Sequence, residues 1–243
     1  MSYRMIATGW HNTLFGLPND DLLYREIDKA AHPWWQLRGT RSGDIQRARR
    51  DIQERRQTYG HGSCTFDDPY ASFDIIIAGA SRDAIYKAVE RYSQRNIRLA
   101  HEGLLELIRN ERTRGKHVAV MSDSLSYHIL SVLEPLRHID TFEEVRGRGF
   151  VIDGDEKVTG LTPHMHGEKA ALLEYFFANF RCNERTLLYL GGEGGDETIA
   201  DFLPPGNALV SPYASPQQKE RLVRSGAFVP ENLDDLEKYL MSK

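Results

Sequence analysis

Residues 102–124, EGLLELIRNERTRGKHVAVMSDS, decide the fold class because a helix pattern and a strand pattern follow each other directly. Leucine and isoleucine recur at helical spacing as far as Gly115, a residue type that commonly ends helices. The apolar run HVAVM follows and ends in the small polar residues SDS. A continuous apolar run of this length predicts a strand buried on both faces, as in parallel sheets.

The same alternation continues to the end of the chain. SYHILSVLEPLRHI, GEKAALLEYFFANF, DETIADFL and PENLDDLEKYL have helical patterns, whereas FEEVRG, RTLLYLGG and NALVSP have strand patterns. FVIDGDEKVTGL alternates around Asp153-Gly154, which predicts a hairpin, and YRMIATG predicts a strand near the start of the chain. Repeated strand–helix alternation predicts an α/β fold with a mostly parallel sheet and helices on both faces.

Residues 18–95 have a different character. DDLLYREIDKAAHPWW, SGDIQRARRDIQERRQTYG and SRDAIYKAVERYSQR all have helical patterns, and Pro33 interrupts the first of them. We therefore expect a helical insertion at residues 18–95 after the first strand. The α/β core would then consist of residues 1–17 and 96–243.

Composition excludes several classes of protein. The 243 residues are 40% hydrophobic and 27% charged, which is typical of an ordinary globular protein. No apolar run approaches the roughly 20 residues of a membrane span, and the N-terminus lacks a signal-peptide pattern, so we expect a cytoplasmic protein without membrane contact. Cys64 and Cys182 lie 118 positions apart, which predicts two free thiols.

The predicted parallel sheet directs attention to the carboxyl ends of its strands, where such sheets bind ligands. There the chain presents TGWHNTL at 8–14, MSDS at 121–124 and GGEGGDE at 191–197. A strand-terminal hydroxyl, a helix N-terminus and the ammonium of Lys169 suit a phosphate group. The expected phosphate-binding residues are Thr8, Gly9, Ser122, Asp123 and Lys169. Carboxylates suit a hard cation such as Mg²⁺, and the expected metal ligands are Glu193, Asp196 and Glu197.

The order of these groups resembles the haloacid dehalogenase superfamily of phosphohydrolases. Thr13 and Leu14 match the end of its first motif, Asp-x-Asp-x-Thr. Ser122 matches the second motif, and Lys169 matches the third. Glu193 and Glu197 fit the acidic fourth motif, with Asp196 as a competing second acid. The segment FEEVRGRGFVIDGDEKVTGLTPHMHGEKAALLEYF also resembles the phosphoserine-phosphatase branch.

The resemblance covers residues 3–17 and roughly 96–215, and it implies a Rossmann-like core with residues 18–95 as a helical cap. The first motif departs from the family. In the family the first Asp attacks phosphorus and coordinates Mg²⁺, and the second Asp is a general acid and base. Gly9 and His11 occupy these two positions here. The resemblance therefore implies that covalent catalysis is lost and that the Mg²⁺ site is weakened.

Two functions follow from this departure. The first is a protein that binds a small phosphorylated ligand or inorganic phosphate, has weak or no phosphatase activity and serves in binding or regulation. The alternative is an active hydrolase of small phosphomonoesters, with His11 in the acid–base role beside Thr13. The sequence indicates neither the ligand nor the oligomeric state.

Three further motifs favour plainer interpretations. The loop LLYLGGEGGDETIADF also resembles a site for S-adenosylmethionine, but only about 50 residues follow it, too few for the second half of such a fold. His164 and His166 could share a metal ion, although a polar loop is favoured. Residues 38–56 hold seven arginines and three acids, which favours a solvated helix face over nucleic-acid binding. The aromatic residues of HPWWQL suit either core packing or substrate selection.

Overall fold

A computed structural model of the chain describes residues 3–16, 20–32, 42–60, 70–163, 169–192 and 195–243. The chain divides into two compact units. The first comprises Met1–Asn19, Asn96–Gly147 and Met165–Lys243, and the second comprises Asp20–Arg95 and Arg148–His164. None of the helices within the described ranges is long and apolar enough to span a membrane.

Eight strands and ten α-helices lie in the described ranges. The strands are β1 (Met5–Thr8), β2 (Ala80–Ser81), β3 (His117–Leu125), β4 (Glu144–Arg148), β5 (Phe150–Ile152), β6 (Lys157–Leu161), β7 (Leu187–Gly191) and β8 (Ala208–Val210). The helices are α1 (Asp21–Ala31), α2 (Ser42–Gly60), α3 (Phe73–Ile77), α4 (Arg82–Asn96), α5 (Glu102–Thr113), α6 (Ser126–Leu133), α7 (Lys169–Phe180), α8 (Asp196–Phe202), α9 (Pro216–Arg224) and α10 (Leu233–Ser242).

The first unit contains a five-stranded sheet in the order β4-β3-β1-β7-β8. β1 pairs in parallel with β3 and with β7, and β7 pairs in parallel with β8. Thr8, the last residue of β1, lies opposite Val120 of β3 and Leu190 of β7. The predicted α/β fold with a parallel sheet is therefore confirmed, and the loops after β1, β3 and β7 leave the same edge.

Both faces of this sheet are covered because alternate residues of each strand point to opposite sides. Ile6 packs into one apolar cluster with side chains of α5, α6 and α10. Met5 and Ala7 pack into a second cluster with side chains of α7 and α8. The near-continuous apolar strands seen in the sequence are explained by this burial on both sides.

The second unit contains α1 to α4 and a small sheet in the order β2-β6-β5. The hairpin predicted around Asp153-Gly154 forms as the antiparallel pair β5–β6. β6 also pairs antiparallel with β2, so residues 148–164 group with the second unit, whereas the sequence pattern placed them in the core. A two-residue strand such as β2 is too short to produce a periodic signal, so the sequence pattern of the insertion showed only its helices.

Candidate functional site at the carboxyl edge of the sheet

The chain turns sharply as it leaves β1. The Gly9 N–H donates to the carbonyl oxygen of Leu190 at 3.0 Å, which continues the β1–β7 pairing by one residue. The Trp10 carbonyl oxygen then accepts from the N–H groups of Thr13, Leu14 and Phe15, at distances of 3.3, 3.0 and 2.9 Å. Gly9 is thus the first residue beyond the central strand, and residues 10–15 form a tight turn.

The turn is anchored by aromatic packing that the sequence did not single out. The Trp10 side chain is fully buried and stacks on Phe15 with a centroid distance of 5.3 Å. His128 of α6 packs edge-on against both rings, at 6.0 and 5.2 Å. This packing holds the backbone of the turn in place without using any group that could react with a ligand.

His11 and Thr13, the two predicted catalytic residues, lie inside this turn and are buried, with exposed fractions of 4% and 0%. The Thr13 hydroxyl donates to the His11 carbonyl oxygen at 3.2 Å. The Thr13 carbonyl oxygen accepts from the Ser211 hydroxyl at 3.4 Å. Thr13 therefore stabilises the turn, and its hydroxyl is engaged in that role.

The loop after β7 packs closely against the β1 turn. A Cβ atom at Gly192 would come within 2.4 Å of the Asn12 carbonyl oxygen, so no side chain fits at this position. A Cβ atom at Gly191 would come within 2.5 Å of an Asp196 carboxylate oxygen. Gly191 and Gly192 are therefore required at these positions, because neighbouring atoms leave no room for a Cβ atom.

Lys169 and Asp196 form an ion pair at the start of α7 and α8. The Lys169 ammonium lies 3.0 Å from Asp196 Oδ1, and both side chains are fully buried. The Tyr189 hydroxyl donates to the same oxygen at 2.6 Å, and the Gly192 N–H donates to Oδ2 at 2.8 Å. Burial of a charged group is costly unless an opposite charge and hydrogen bonds compensate it. Here Lys169, Tyr189 and Gly192 all donate to the Asp196 carboxylate.

Tyr189 was missed at the level of sequence, although a polar ring tip in the otherwise apolar strand LLYLG was an available signal. The Lys169–Asp196 partnership was also missed, because the two residues are 27 positions apart. Lys169 was predicted to bind phosphate, and Asp196 was predicted to bind a metal ion. The structure shows that Asp196 is the counter-ion of Lys169, and their roles as ligands of a bound group stay a prediction.

Two of the three expected Mg²⁺ ligands, Asp196 and Glu197, lie in the described ranges, and both carboxylates accept hydrogen bonds from the chain. Asp196 is engaged by Lys169, Tyr189 and Gly192, so a cation would compete with the ammonium for the same oxygens. Glu197 Oε2 accepts from the Gly195 N–H at 2.8 Å. Within the described part of the chain, no three His, Cys, Asp or Glu side chains are grouped to hold a metal ion.

Ser122, another of the expected phosphate-binding residues, is fully buried in β3. Its Oγ accepts a hydrogen bond from the Ser124 N–H at 3.2 Å. The pairing of β1 with β3 ends at Thr8 and Val120, so Ser122 lies beyond the last paired residues. Asp123 follows it and is half-buried. Thr8 is fully buried, and its hydroxyl donates to the Gly9 carbonyl oxygen at 3.1 Å.

The β1 turn, Gly192 and the Lys169–Asp196 pair are therefore joined by direct contacts, and Ser122 lies at the same edge of the sheet. Convergence of the whole predicted set on one ligand stays a prediction. Several residues singled out in the sequence lie outside the described ranges: Trp34, Trp35, Cys64, His164, His166 and Glu193. Cys182 is a free, half-buried thiol, and burial raises its pKa to about 11.

The second unit has a cavity of its own, of about 510 Å³, between α1, α2 and α3. Tyr24 and Tyr70 line it and stack at a centroid distance of 4.1 Å. Arg49 also lines the cavity. It donates hydrogen bonds to both carboxylate oxygens of Asp28, at 2.8 and 2.7 Å. Arg49 of the Arg-rich segment therefore pairs with an acid of α1, and a solvated face for the segment as a whole stays a prediction.

Comparison with known proteins gives structural matches only. No protein-family model and no curated protein sequence matches the chain. A substrate-bound phosphoserine phosphatase aligns over 98% of this chain and 99% of its own, with 15% identity and a TM-score of 0.64. Phosphoserine phosphatase from T. onnurineus aligns over 98% and 94%, with 16% identity and a TM-score of 0.57.

A haloacid dehalogenase family hydrolase from Salmonella enterica serovar Typhi aligns over 89% of this chain and 64% of its own, with 15% identity and a TM-score of 0.58. The strand order, the parallel pairing and these alignments agree with the resemblance carried by Ser122 and Lys169. The chain has the fold of the haloacid dehalogenase phosphohydrolases, in the form found in phosphoserine phosphatases.

Proposed function

We propose that this protein binds inorganic phosphate or a small phosphomonoester at the carboxyl edge of its sheet and hydrolyses the ester slowly or not at all. The observation that carries the proposal is Gly9, the first residue beyond the central strand β1. In the family that the motifs resemble, this position holds the attacking aspartate. Glycine has no nucleophile, so a covalent phospho-enzyme cannot form there.

Retention of phosphate binding is supported by the groups that do not depend on Gly9. The fully buried Ser122 hydroxyl lies at the same edge as the β1 turn, and Lys169 carries a cationic group at the start of α7. A charged donor and a hydroxyl are common phosphate ligands. Asp196 neutralises Lys169, so we expect weaker attraction for a phosphate dianion than a lone buried ammonium would give.

A role in binding or regulation fits this arrangement better than a role in turnover. We propose that the unit that contains α1 to α4 is the cap that the resemblance implies. Mg²⁺ would be held more weakly than in the family, because Gly9 supplies no carboxylate ligand.

The proposal is tested by calorimetric titration of inorganic phosphate into the wild-type protein and into Ser122→Ala. We expect saturable binding to the wild type and affinity reduced about tenfold in the variant, the usual loss for one charge-assisted hydrogen bond. Ser225→Ala, just after α9, is the matched control and should bind as the wild type does. Equal binding by all three proteins, or no binding to the wild type, would remove the proposed site.

Hydrolysis through His11 is the alternative, and a panel of small phosphomonoesters decides it. Turnover by the wild type that disappears in His11→Gln, with phosphate affinity unchanged, would establish that alternative. Turnover at about 1 s⁻¹ or faster that His11→Gln leaves intact would contradict both functions.

A further inference from the structure

The amino ends of the strands form a second cleft, at the edge opposite Gly9 and Ser122. Its volume is about 650 Å³, within the range of small-molecule sites. Arg4 comes just before β1, His117 begins β3, and Thr186 comes just before β7. From Arg4 to Gly9 the chain runs five residues, or about 16 Å at the usual strand rise, so this cleft is separate from the candidate phosphate site.

The lining of this amino-edge cleft is strongly basic. Four of its seven residues are Arg4, Arg114, Lys116 and His117, and none of the seven is acidic. The whole chain has a net charge of −4, so the cleft contrasts with the rest of the surface. Concave positive surfaces concentrate the field and attract anions.

Neutral acceptors hold two of the cations. Arg4 donates to the carbonyl oxygen of Arg181 at 3.4 Å, and Lys116 donates to that of Tyr3 at 2.7 Å. Arg114 pairs with Glu111, which is buried behind the cleft and is 2% exposed. His117, in the same lining, bonds the carboxylate of Glu143, so we do not count it among the permanent cations of the cleft.

The cations are also held in position. Lys116 lies 4.2 Å from the centroid of the Tyr3 ring, a favourable cation–π distance. Burial, and then the hydrogen bond to Glu111, raises the pKa of Tyr3, so its phenol stays neutral and cancels none of the positive charge. Gly115 has a φ of +84°, and a Cβ there would meet nothing within 4 Å, so its backbone borders open space.

We propose that the amino-edge cleft binds a small polyanion with two or more phosphate groups. Arg4, Arg114 and Lys116 line a cleft of about 650 Å³, so a single phosphate group is too small to contact all three. Arginine side chains form bidentate hydrogen bonds with phosphate oxygens. The Tyr3 ring is buried beneath Lys116, so it offers no face on which a base could stack. Recognition is therefore directed at the phosphate groups.

The test is a calorimetric titration of inorganic pyrophosphate at constant ionic strength into the wild type, Arg4→Gln and the double variant Arg4→Gln with Lys116→Gln. We expect saturable binding below about 1 mM, at least tenfold weaker in the double variant and about threefold weaker in the single variant. Orthophosphate should bind this cleft more weakly than pyrophosphate. Arg4 is exposed, so the single variant should fold normally.

The matched control removes two exposed charges elsewhere, Arg224→Gln with Lys238→Gln, whose side chains are 75% and 77% exposed. Equal loss of affinity in this control and in the Arg4/Lys116 double variant, or no saturable binding to the wild type, would overturn the proposal. Ser122→Ala should leave pyrophosphate binding at this cleft unchanged. Pyrophosphate binding at the amino-edge cleft is therefore tested separately from phosphate binding at the carboxyl edge.

Discussion

The substitution Asp196→Asn tests the assignment of Asp196 as the counter-ion of Lys169. Both side chains are fully buried and lie 3.0 Å apart, so the substitution leaves a buried ammonium without its charged partner. Removing one member of a buried ion pair costs about 3–5 kcal/mol of the free energy of unfolding. The asparagine amide also cannot accept from the Lys169 ammonium on one side and the Gly192 N–H on the other, because only one of its two ends is an acceptor.

The free energy of unfolding is measured by urea denaturation, with and without phosphate at matched ionic strength. Phosphate should stabilise Asp196→Asn more than it stabilises the wild type, since it supplies the missing negative charge. A ligand at 100 times its dissociation constant contributes about 2.7 kcal/mol. Asp201→Asn, an exposed residue of the same helix, is the matched control and should change stability by no more than about 0.5 kcal/mol.

A double variant separates the loss of the pair from the loss of packing. Lys169→Met combined with Asp196→Asn removes both charges, so it should be more stable than Asp196→Asn alone. A cost below about 1 kcal/mol for Asp196→Asn, or a double variant as unstable as the single one, would refute the counter-ion assignment.

Three more outcomes follow from the same geometry. Tyr189→Phe should cost about 1.5–3 kcal/mol in urea denaturation, because a hydrogen bond to a charged carboxylate is lost; a cost near zero would contradict that bond. Mg²⁺ should raise phosphate affinity by less than about tenfold over EDTA, because Gly9 removes one anionic ligand of the cation; a larger gain would contradict a weakened cation site. Burial lowers the pKa of His101 below its usual 6.5, so its contribution to stability is full above about pH 6.5 and is lost as the pH falls through the folded-state pKa. His101→Gln should therefore flatten the decline in stability below about pH 6.5, and an unchanged slope would show that His101 is not its source.

Much of the fold could be predicted because the pattern of buried residues is local. The strand HVAVMSDS and the amphipathic helix before it gave the correct parallel unit, β3 and α5. Helix α9 was missed although Ser215 and Gln218 form a capping box at its start, so a usable signal was present. β2 gave no such signal because it has two residues and depends on its partner β6.

The candidate site was predictable only in part. Gly9 was correctly noted from its place directly after an apolar strand, because that feature is visible in the order of residues. The partner of Asp196 was not visible, since an acid after glycines suits a metal ligand and a counter-ion equally well in sequence. Only the fold brings Lys169 within 3.0 Å of its carboxylate and shows that Gly192 donates to it as well.

The most direct test of the central claim is the steady-state rate of hydrolysis of a panel of small phosphomonoesters by the wild-type protein. The account predicts turnover below about 1 s⁻¹ on every ester. Gly9→Asp, compared with Gly9→Asn as a control of the same shape, shows whether a carboxylate at this position restores any activity. Wild-type turnover at about 1 s⁻¹ or faster would contradict the account, because the chain would then hydrolyse phosphate esters without the attacking carboxylate.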